Sequence, residues 1–171
     1  MLHNKNSTQR MVLTALFGAL TCVATLVIMI PSPLGGYLNL GDTVVLLGGF
    51  LLGGWYGVTA AGVGSMLADF ISGYLIYMPA TLLIKALMSA IAGVLYQVIR
   101  RGDRARTGKA ALVAGLIAEL WMVLGYYLFA LLFLKEAGAA VLTIPGNLMQ
   151  GAAGIVGATA LAVMLDRTGV R

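Results

Sequence analysis

Charged residues are scarce in this sequence. Only 10% of its 171 residues are Asp, Glu, Lys or Arg, whereas 60% are hydrophobic. A soluble domain usually carries about a quarter charged residues, so these few charges cannot cover the surface of a water-soluble globule. We therefore expect an integral membrane protein that forms one transmembrane domain over residues 1–171, and this length allows about six spans of ~20 residues.

Cysteine and histidine are also almost absent. Cys22 is the one cysteine and His3 the one histidine, which excludes an internal disulfide and a transition-metal site built from these residue types. The nearest approach to a phosphate-binding loop, GDRARTGKAA over residues 102–111, has the wrong spacing for GxxxxGK and places Ala110 where a hydroxyl is needed. No nucleophile, base and acid lie together outside the apolar segments. We therefore expect neither an enzyme nor a bound metal or cofactor.

The basic residues that are present lie in three clusters between the apolar runs. The positive-inside rule assigns such clusters to the cytoplasmic side of the membrane. We therefore attribute the net charge of +5 to membrane orientation and expect no nucleic-acid partner. Nine of the 11 Lys and Arg residues belong to these clusters, namely Lys5 and Arg10, then Arg100, Arg101, Arg104, Arg106 and Lys109, and finally Arg167 and Arg171.

The number of spans between the first two clusters must be even if both clusters lie in the cytoplasm. The apolar run 43–72 decides this number. As a single helix of ~30 residues it would be about 45 Å long, too long for a ~30 Å bilayer core, and it would put the second cluster outside. We therefore divide the run at GGWYG, residues 53–57, where glycine and aromatic residues favour a turn at the membrane interface.

The resulting fold class is an all-α bundle of six transmembrane helices with both termini in the cytoplasm. The predicted spans cover roughly residues 9–30, 42–54, 57–73, 79–100, 110–134 and 144–166, and the predicted outside loops cover 31–41, 74–78 and 135–143. The first outside loop and the residue after it, 31–42, contain two prolines and three glycines. This segment is either a plain connector or a lid over a cavity that opens to the outside.

Lys85 is the one charged residue in the apolar stretch PATLLIKALMSAIAGVL, residues 79–95. A charge at that depth costs a few kcal/mol on insertion scales, so we expect Lys85 to face the interior of the bundle. Asp69 lies at a similar depth on the preceding span. Two interpretations stay open: the two residues form a structural ion pair, or Lys85 binds a substrate while Asp69 holds it in place.

Other polar and aromatic residues concentrate in the outer halves of spans three to six. Glu119 lies deeper, as a core hydrogen-bonding group, a partner of Lys85 or the floor of a site. The aromatic residues of span five belong to a membrane-interface belt or stack on a flat heterocycle. Asn147 and Gln150 share a helix face and either bind a ligand or join helices. The pattern predicts a pocket open to the outside, with ligand contacts from Tyr37, Asn39, Asp42, Asp69, Tyr74, Tyr77, Lys85, Glu119, Tyr126, Asn147 and Gln150.

Two long stretches and one residue pair resemble a known family. The stretches are LNLGDTVVLLGGFLLGGWYGVTAAGVGSMLADFISGY, residues 38–74, and YMPATLLIKALMSAIAGVL, residues 77–95, and the pair is Ala15 and Ala19 on span one. Together they resemble the S components of energy-coupling factor (ECF) transporters, over nearly the whole chain. The resemblance implies a six-span, vitamin-binding subunit in a prokaryotic plasma membrane, which works with a transmembrane coupling protein and two ATPase subunits.

The same resemblance implies roles for particular segments. An AxxxA motif on span one docks onto the coupling protein in this family, which implies that role for Ala15 and Ala19. The first outside loop closes over the substrate, which implies a lid at residues 31–42. The partner complex then hydrolyses ATP and reorients the whole bundle.

The segments DFISGY and ATLLIK, residues 69–74 and 80–85, are most similar to the branch associated with riboflavin, hydroxymethylpyrimidine and pyridoxine-type substrates. The loop after span one differs from that of the riboflavin binders. Hydroxymethylpyrimidine, another thiamine precursor or a B6 vitamer is therefore the favoured substrate, and riboflavin or another vitamin is the alternative. Two other classes stay open: a ligand-free membrane assembly protein, and an autonomous secondary transporter, against which the lack of an inverted internal repeat counts.

Overall fold

The structure is a computed structural model that describes residues 6–31, 37–133 and 137–168. Six helices make up most of it: α1 (Ser7–Val27), α2 (Gly41–Leu51), α3 (Gly54–Ile71), α4 (Met78–Arg100), α5 (Thr107–Leu132) and α6 (Ala137–Thr168). Between α1 and α2, the strands β1 (Met29–Pro31) and β2 (Tyr37–Asn39) form an antiparallel hairpin, and a short 3-10 helix (Arg104–Arg106) precedes α5. Predictions that fall on Lys5, Arg171 or residues 32–36 of the first outside loop lie outside the described residues.

Helix length and hydropathy fit a membrane-embedded bundle. Four of the described helices, α1, α4, α5 and α6, are long and apolar enough to cross a membrane by themselves. The helix α2 is a shorter apolar helix of 11 residues. The helical fold class is thus observed, whereas the number of crossings and the side on which the termini lie stay predictions.

The apolar run 43–72 is divided into two helices at the predicted turn. Gly53 and Gly54, between α2 and the body of α3, have φ angles of 58° and 47°, in the left-handed region that glycine adopts without strain. A Cβ at Gly53 would also lie 2.6 Å from Gln97 Nε2. Glycine at this position therefore permits both the sharp turn and the close approach of α4.

Two helix ends differ from the limits of the predicted spans, whose extent within the membrane stays a prediction. The predicted outside loop 135–143 is largely helical, because α6 begins at Ala137 and continues through Pro145; its alanine-rich first turns favour a helix. The prediction also extends span one to residue 30, whereas the backbone is already extended at Ile28 (φ −122°, ψ 98°) and β1 follows. Strand pairing with β2 explains this early end, since Met29 pairs with Asn39.

The short helix α2 lies at the centre of the bundle and packs against α1, α3, α4 and α6. Val45, Leu46 and Phe50 of this helix are fully buried. Its backbone approaches α4 closely, because a Cβ at Gly49 would lie only 2.7 Å from the backbone oxygen of Ser89. Since α2 is both central and short, its first turn lies inside the bundle and not at the bundle surface.

A buried arginine joins three helices at the end of the bundle opposite the hairpin. Arg100 Nε donates to Thr107 Oγ1 at 2.9 Å, and Arg100 Nη2 donates to Asp166 Oδ1 at 2.8 Å. These contacts tie together the end of α4, the beginning of α5 and the end of α6. Arg100 is 5% exposed, and charge-assisted hydrogen bonds of this kind are stronger than neutral ones. We call Arg100, Thr107 and Asp166 the arginine clasp.

Candidate functional site

The second strand of the hairpin is fastened to the helices through two of its residues. The hydroxyl of Tyr37 donates to Asp69 Oδ1 on α3, at 2.6 Å. The backbone N–H and the side-chain Nδ2 of Asn39 donate to Gln150 Oε1 on α6, at 3.0 and 3.2 Å. The strand β2 is therefore held by helices from two different parts of the sequence.

Tyr37 keeps its proton in this arrangement. Burial of the phenol, and then its hydrogen bond to Asp69 and the charge of that carboxylate, raise the pKa of Tyr37 above its ordinary value. The hydroxyl therefore stays a donor over the physiological pH range. The ring of Tyr37 also lies 5.0 Å from the ring of Tyr74, a separation typical of paired aromatic side chains.

A cavity of about 70 Å³ lies beneath the hairpin. Its wall combines tyrosine rings, amides, hydroxyls and two charged side chains. Nine of the 11 predicted ligand contacts line it, namely Tyr37, Asn39, Asp69, Tyr74, Tyr77, Lys85, Tyr126, Asn147 and Gln150. Residues that the sequence did not single out complete the wall: Thr25, Leu38, Ser65, Thr81, Ala130, Thr143 and Gly146.

The ion pair of Lys85 is formed with Asp42 and not with Asp69, so the predicted pairing is corrected. Lys85 Nζ contacts Asp42 Oδ1, and the two side chains are 4% and 1% exposed. Gln150 Nε2 donates to Asp42 Oδ2 at 2.6 Å. Asp42 faces inward because α2 begins at Gly41, which puts Asp42 in a first turn that lies inside the bundle. Asp42 therefore pairs with Lys85, which lines the cavity, but does not itself line it.

Glu119 lies apart from the cavity and does not contribute to its wall. It is 3% exposed, and neither of its carboxylate oxygens has a hydrogen-bond partner among the described residues. Glycine on α6 makes room for it, because a Cβ at Gly154 would lie 2.7 Å from Glu119 Oε1 and 2.9 Å from Asp42 Cβ. Glu119 therefore packs near Asp42, and the structure gives its predicted ligand contact no support.

Two aromatic residues of α5 differ in what they contact. Tyr126 lines the cavity, and its hydroxyl shares a hydrogen bond of 3.1 Å with Thr81 Oγ1. Lys85 Nζ lies 5.6 Å from the ring centroid of Tyr126, within the range of cation–π attraction. Trp121 instead donates from Nε1 to the backbone oxygen of Ile84 at 3.1 Å. Tyr126 therefore contributes to the site, whereas Trp121 joins α5 to α4.

The buried carboxylates do not form a metal site. Within the described parts of the chain, no group of three or more His, Cys, Asp or Glu side chains could hold a metal ion. The two carboxylate oxygens of Asp42 accept hydrogen bonds from Lys85 and Gln150, and one carboxylate oxygen of Asp69 accepts from Tyr37. The cavity therefore offers hydrogen bonds, aromatic surface and one ammonium group, which suit a small organic ligand.

The predicted docking residues Ala15 and Ala19 lie on an exposed face of α1. Another face of this helix packs against α3, where a Cβ at Gly18 would lie 3.6 Å from the backbone oxygen of Ala60. Leu16 and Leu20, next to the alanines, are 51% and 46% exposed. This side of α1 is therefore open to lipid or to a partner helix.

Comparisons with known proteins show the family of this chain and relatives that share its sequence or fold. The family model for the S component of ECF-type riboflavin transporters matches residues 5–167. A protein of Pyrococcus woesei described as "Uncharacterized protein in gap 3'region" is 35% identical over 136 residues, which cover 78% of this chain and 86% of that protein. A solved structure described as "Structure and mechanism of the S component of a bacterial ECF transporter" has a TM-score of 0.68 and 19% sequence identity to this chain. The match covers 97% of this chain and 100% of the chain in that structure. This last likeness shows that the fold is shared.

Proposed function

Because the chain belongs to the family of ECF-type riboflavin transporter S components, we propose that it captures a small heterocyclic vitamin or vitamin precursor from outside the cell. Members of this family are non-catalytic, membrane-embedded subunits that bind the substrate of an ECF transporter. ATP is hydrolysed by partner subunits, so capture by this chain needs no energy input of its own.

The cavity beneath the hairpin is the observation that carries this proposal. It is lined by tyrosine rings, by amides and hydroxyls, and by the charged side chains of Asp69 and Lys85, a combination that suits a small organic ligand. The helix α4 begins at Met78 beside the cavity and ends about 35 Å away at Arg100, next to the basic loop that the positive-inside rule assigns to the cytoplasm. This direction of α4 supports a cavity that faces outward.

The size of the cavity favours a ligand with a single ring. One water molecule occupies at least about 10–15 Å³ on this measure, so a cavity of about 70 Å³ holds only a few water-sized groups. Hydroxymethylpyrimidine, another thiamine precursor or a B6 vitamer suits this space. Riboflavin, with three fused rings and a ribityl chain, would require the hairpin to lift and enlarge the cavity.

Riboflavin is nevertheless the second candidate, because the matching family is described as the riboflavin transporter S component. The contacts of β2 with the helices, Tyr37 with Asp69 and Asn39 with Gln150, are hydrogen bonds to side-chain oxygens. Such contacts can break without unfolding any helix, so a larger ligand is sterically compatible with the same helices. Direct binding measurements separate the two candidates.

Uptake requires the partner module, and we propose that α1 recruits it. A transmembrane coupling protein would contact the exposed face around Ala15 and Ala19, whose small side chains allow a second helix to approach closely. The two ATPase subunits of that module would then drive reorientation of the whole bundle in the membrane. The exposure of the alanine pair, on a helix whose other face is already packed, supports this arrangement.

The proposed function is tested with the purified full-length chain in detergent or in lipid nanodiscs. Small molecules that co-purify are identified by mass spectrometry, and hydroxymethylpyrimidine, pyridoxine and riboflavin are then titrated by calorimetry. We expect one of the single-ring compounds to bind at a ratio of about one per chain, and more tightly than riboflavin. Tighter binding of riboflavin would establish the second candidate, and the absence of binding by all three would refute vitamin capture.

A further inference from the structure

One buried carboxylate oxygen of Asp69 accepts no hydrogen bond of ordinary geometry from the described residues. Asp69 Oδ1 accepts the hydrogen bond from Tyr37, but Oδ2 accepts none from the described residues, although the atom is buried. Asp69 is 4% exposed and lines the cavity. Buried acceptors are rarely left unsatisfied in native proteins, and each such atom calls for an explanation. A hydrogen-bond donor on a ligand in the cavity would explain the free oxygen of Asp69.

Lys85 complements this acceptor with donors. A lysine ammonium carries three N–H donors, and within the described chain Lys85 Nζ hydrogen-bonds to Asp42 Oδ1 and to no other group. Lys85 lines the same cavity as Asp69. Its charge is already balanced by Asp42, so it can hydrogen-bond to a neutral ring nitrogen or carbonyl oxygen without needing an anionic ligand.

Three other polar side chains of the cavity wall, those of Gln150, Thr81 and Tyr126, are already engaged within the protein. Gln150 donates to Asp42 and accepts from Asn39, and Thr81 shares its hydrogen bond with Tyr126. The charged atoms left for a ligand in the cavity are therefore the second oxygen of Asp69 and the ammonium of Lys85.

From these contacts we propose that Asp69 and Lys85 together determine which ligand rings the protein binds. This proposal rests on the proposed capture of a heterocycle. Asp69 accepts a hydrogen bond from a ring N–H or from an amino or hydroxyl group bonded directly to a ring atom, and not from a hydroxymethyl arm, while Lys85 donates to a ring nitrogen or carbonyl oxygen. The selected class is therefore a ring that carries both a donor and an acceptor. An aminopyrimidine, a hydroxypyridine and the imide of riboflavin all satisfy this requirement, whereas a ring with acceptors alone does not.

The first test uses the wild-type protein and matched pairs of ligands. Hydroxymethylpyrimidine is compared with its counterpart in which methyl replaces the amino group, pyridoxine with its counterpart that lacks the ring hydroxyl, and riboflavin with its counterpart methylated on the imide nitrogen. We expect the member that lacks the donor to bind about 10- to 100-fold more weakly, because Asp69 Oδ2 then stays unsatisfied. If the wild-type protein binds both ligands of a matched pair with equal affinity, the proposal is overturned.

The second test changes the acceptor itself. Asp69→Asn keeps an oxygen for Tyr37 and replaces the other oxygen with an N–H donor. We expect this variant to lose at least about 10-fold in affinity for the donor-bearing ligand and to lose the discrimination within the pair. The matched control is Asp103→Asn, the same chemical change in an exposed loop on the opposite side of the bundle. Equal weakening of both members of the pair by Asp69→Asn would contradict a role in specificity.

The outcomes separate this proposal from the proposed function. If the wild-type protein binds a vitamin but does not distinguish the members of its pair, vitamin capture stands and the role of Asp69 is refuted. If no ring compound binds, both fail. If Asp69→Asn does not fold, the comparison of matched ligands on the wild-type protein still decides the question.

Discussion

Lys85 on α4 and Asp42 on α2 form an ion pair inside the bundle, with side chains that are 4% and 1% exposed. Removing one partner of a buried pair leaves the other charge uncompensated, whereas replacing both is often tolerated. In this protein the two residues differ in position, since Lys85 lines the cavity and Asp42 does not. Stability and ligand binding can therefore be separated by mutation.

Lys85→Met should lower the free energy of unfolding by about 3–5 kcal/mol, because Asp42 is left buried without its counter-charge. Adding Asp42→Asn should restore most of the lost stability, since the amide is neutral and can still accept from Gln150. Ligand binding should stay weak in the double variant, because the ammonium is missing. Thermal unfolding in detergent measures the first effect and calorimetry the second. A double variant that binds like the wild type would show that Lys85 is only structural.

Tyr37→Phe should speed the release of bound ligand. The substitution removes the hydroxyl that donates to Asp69 at 2.6 Å but keeps the ring that packs on Tyr74. A hydrogen bond to a charged group contributes about 1.5–3 kcal/mol, so we expect the dissociation rate to rise about 10- to 100-fold if this contact holds the hairpin closed. Stopped-flow measurements with the ring compound that binds the wild type report this rate.

Tyr56→Phe is the matched control for that experiment. Tyr56 lies on α3 near the end opposite the hairpin, where Arg10 stacks over its ring at 4.2 Å. Removal of its hydroxyl should leave the dissociation rate unchanged. An equal rate for Tyr37→Phe and the wild type would show that the hairpin contact does not retain the ligand.

Ala15→Trp combined with Ala19→Trp should abolish uptake, because a bulky residue prevents close helix approach. Ligand affinity should stay within about twofold of the wild type, because neither alanine lines the cavity. Uptake is measured in cells that express the partner module, and co-purification of that module is measured in parallel. The control is Val156→Trp, at a 70% exposed position on α6. Normal uptake by the α1 variant would exclude this face as the docking site.

Gly93→Ala should destabilise the bundle by about 1–3 kcal/mol, because the added Cβ would lie 2.7 Å from the backbone oxygen of Gly49 and neither backbone can move independently. Gly138→Ala provides the matched control on α6, where an added Cβ meets nothing within 4 Å. There the same substitution should be neutral or stabilising by up to about 1 kcal/mol. Melting temperatures of both variants in the same detergent test the contrast.

The sequence predicted the class of the fold well where composition and charge placement decided it. The scarcity of charge indicated a membrane protein, and the parity of the basic clusters required a break near residues 53–57, where the structure has the turn between α2 and α3. The hairpin was not predicted as strands, because three-residue strands at residues 29–31 and 37–39 are too short to show an alternating pattern.

The candidate site was predicted only in part, because some of the contacts left no signal in the sequence. Position along a span gives the depth of a residue but not the direction in which its side chain points, so Asp69 was expected beside Lys85 and Asp42, at the outer end of span two, was not. The hydroxyl residues Thr25 and Ser65 carried no signal, because such side chains commonly bond to the backbone of their own helix, as Thr21 does to Phe17.

The arginine clasp restricts how the cavity can open. One guanidinium fixes the spacing of α4 and α6 at a single end of the molecule and also holds the first residue of α5. Separating α4, α5 and α6 at this end would therefore first break a buried, charged contact. Among the described residues, lifting the hairpin off α3 and α6 breaks the hydrogen bonds of Tyr37 and Asn39 and a weaker one from Ser72 to the sulfur of Met29, but no ion pair. The hairpin is therefore the entrance that opens with the smaller loss of contacts, and the helices can keep their arrangement while it lifts, as the proposed reorientation of the whole bundle requires.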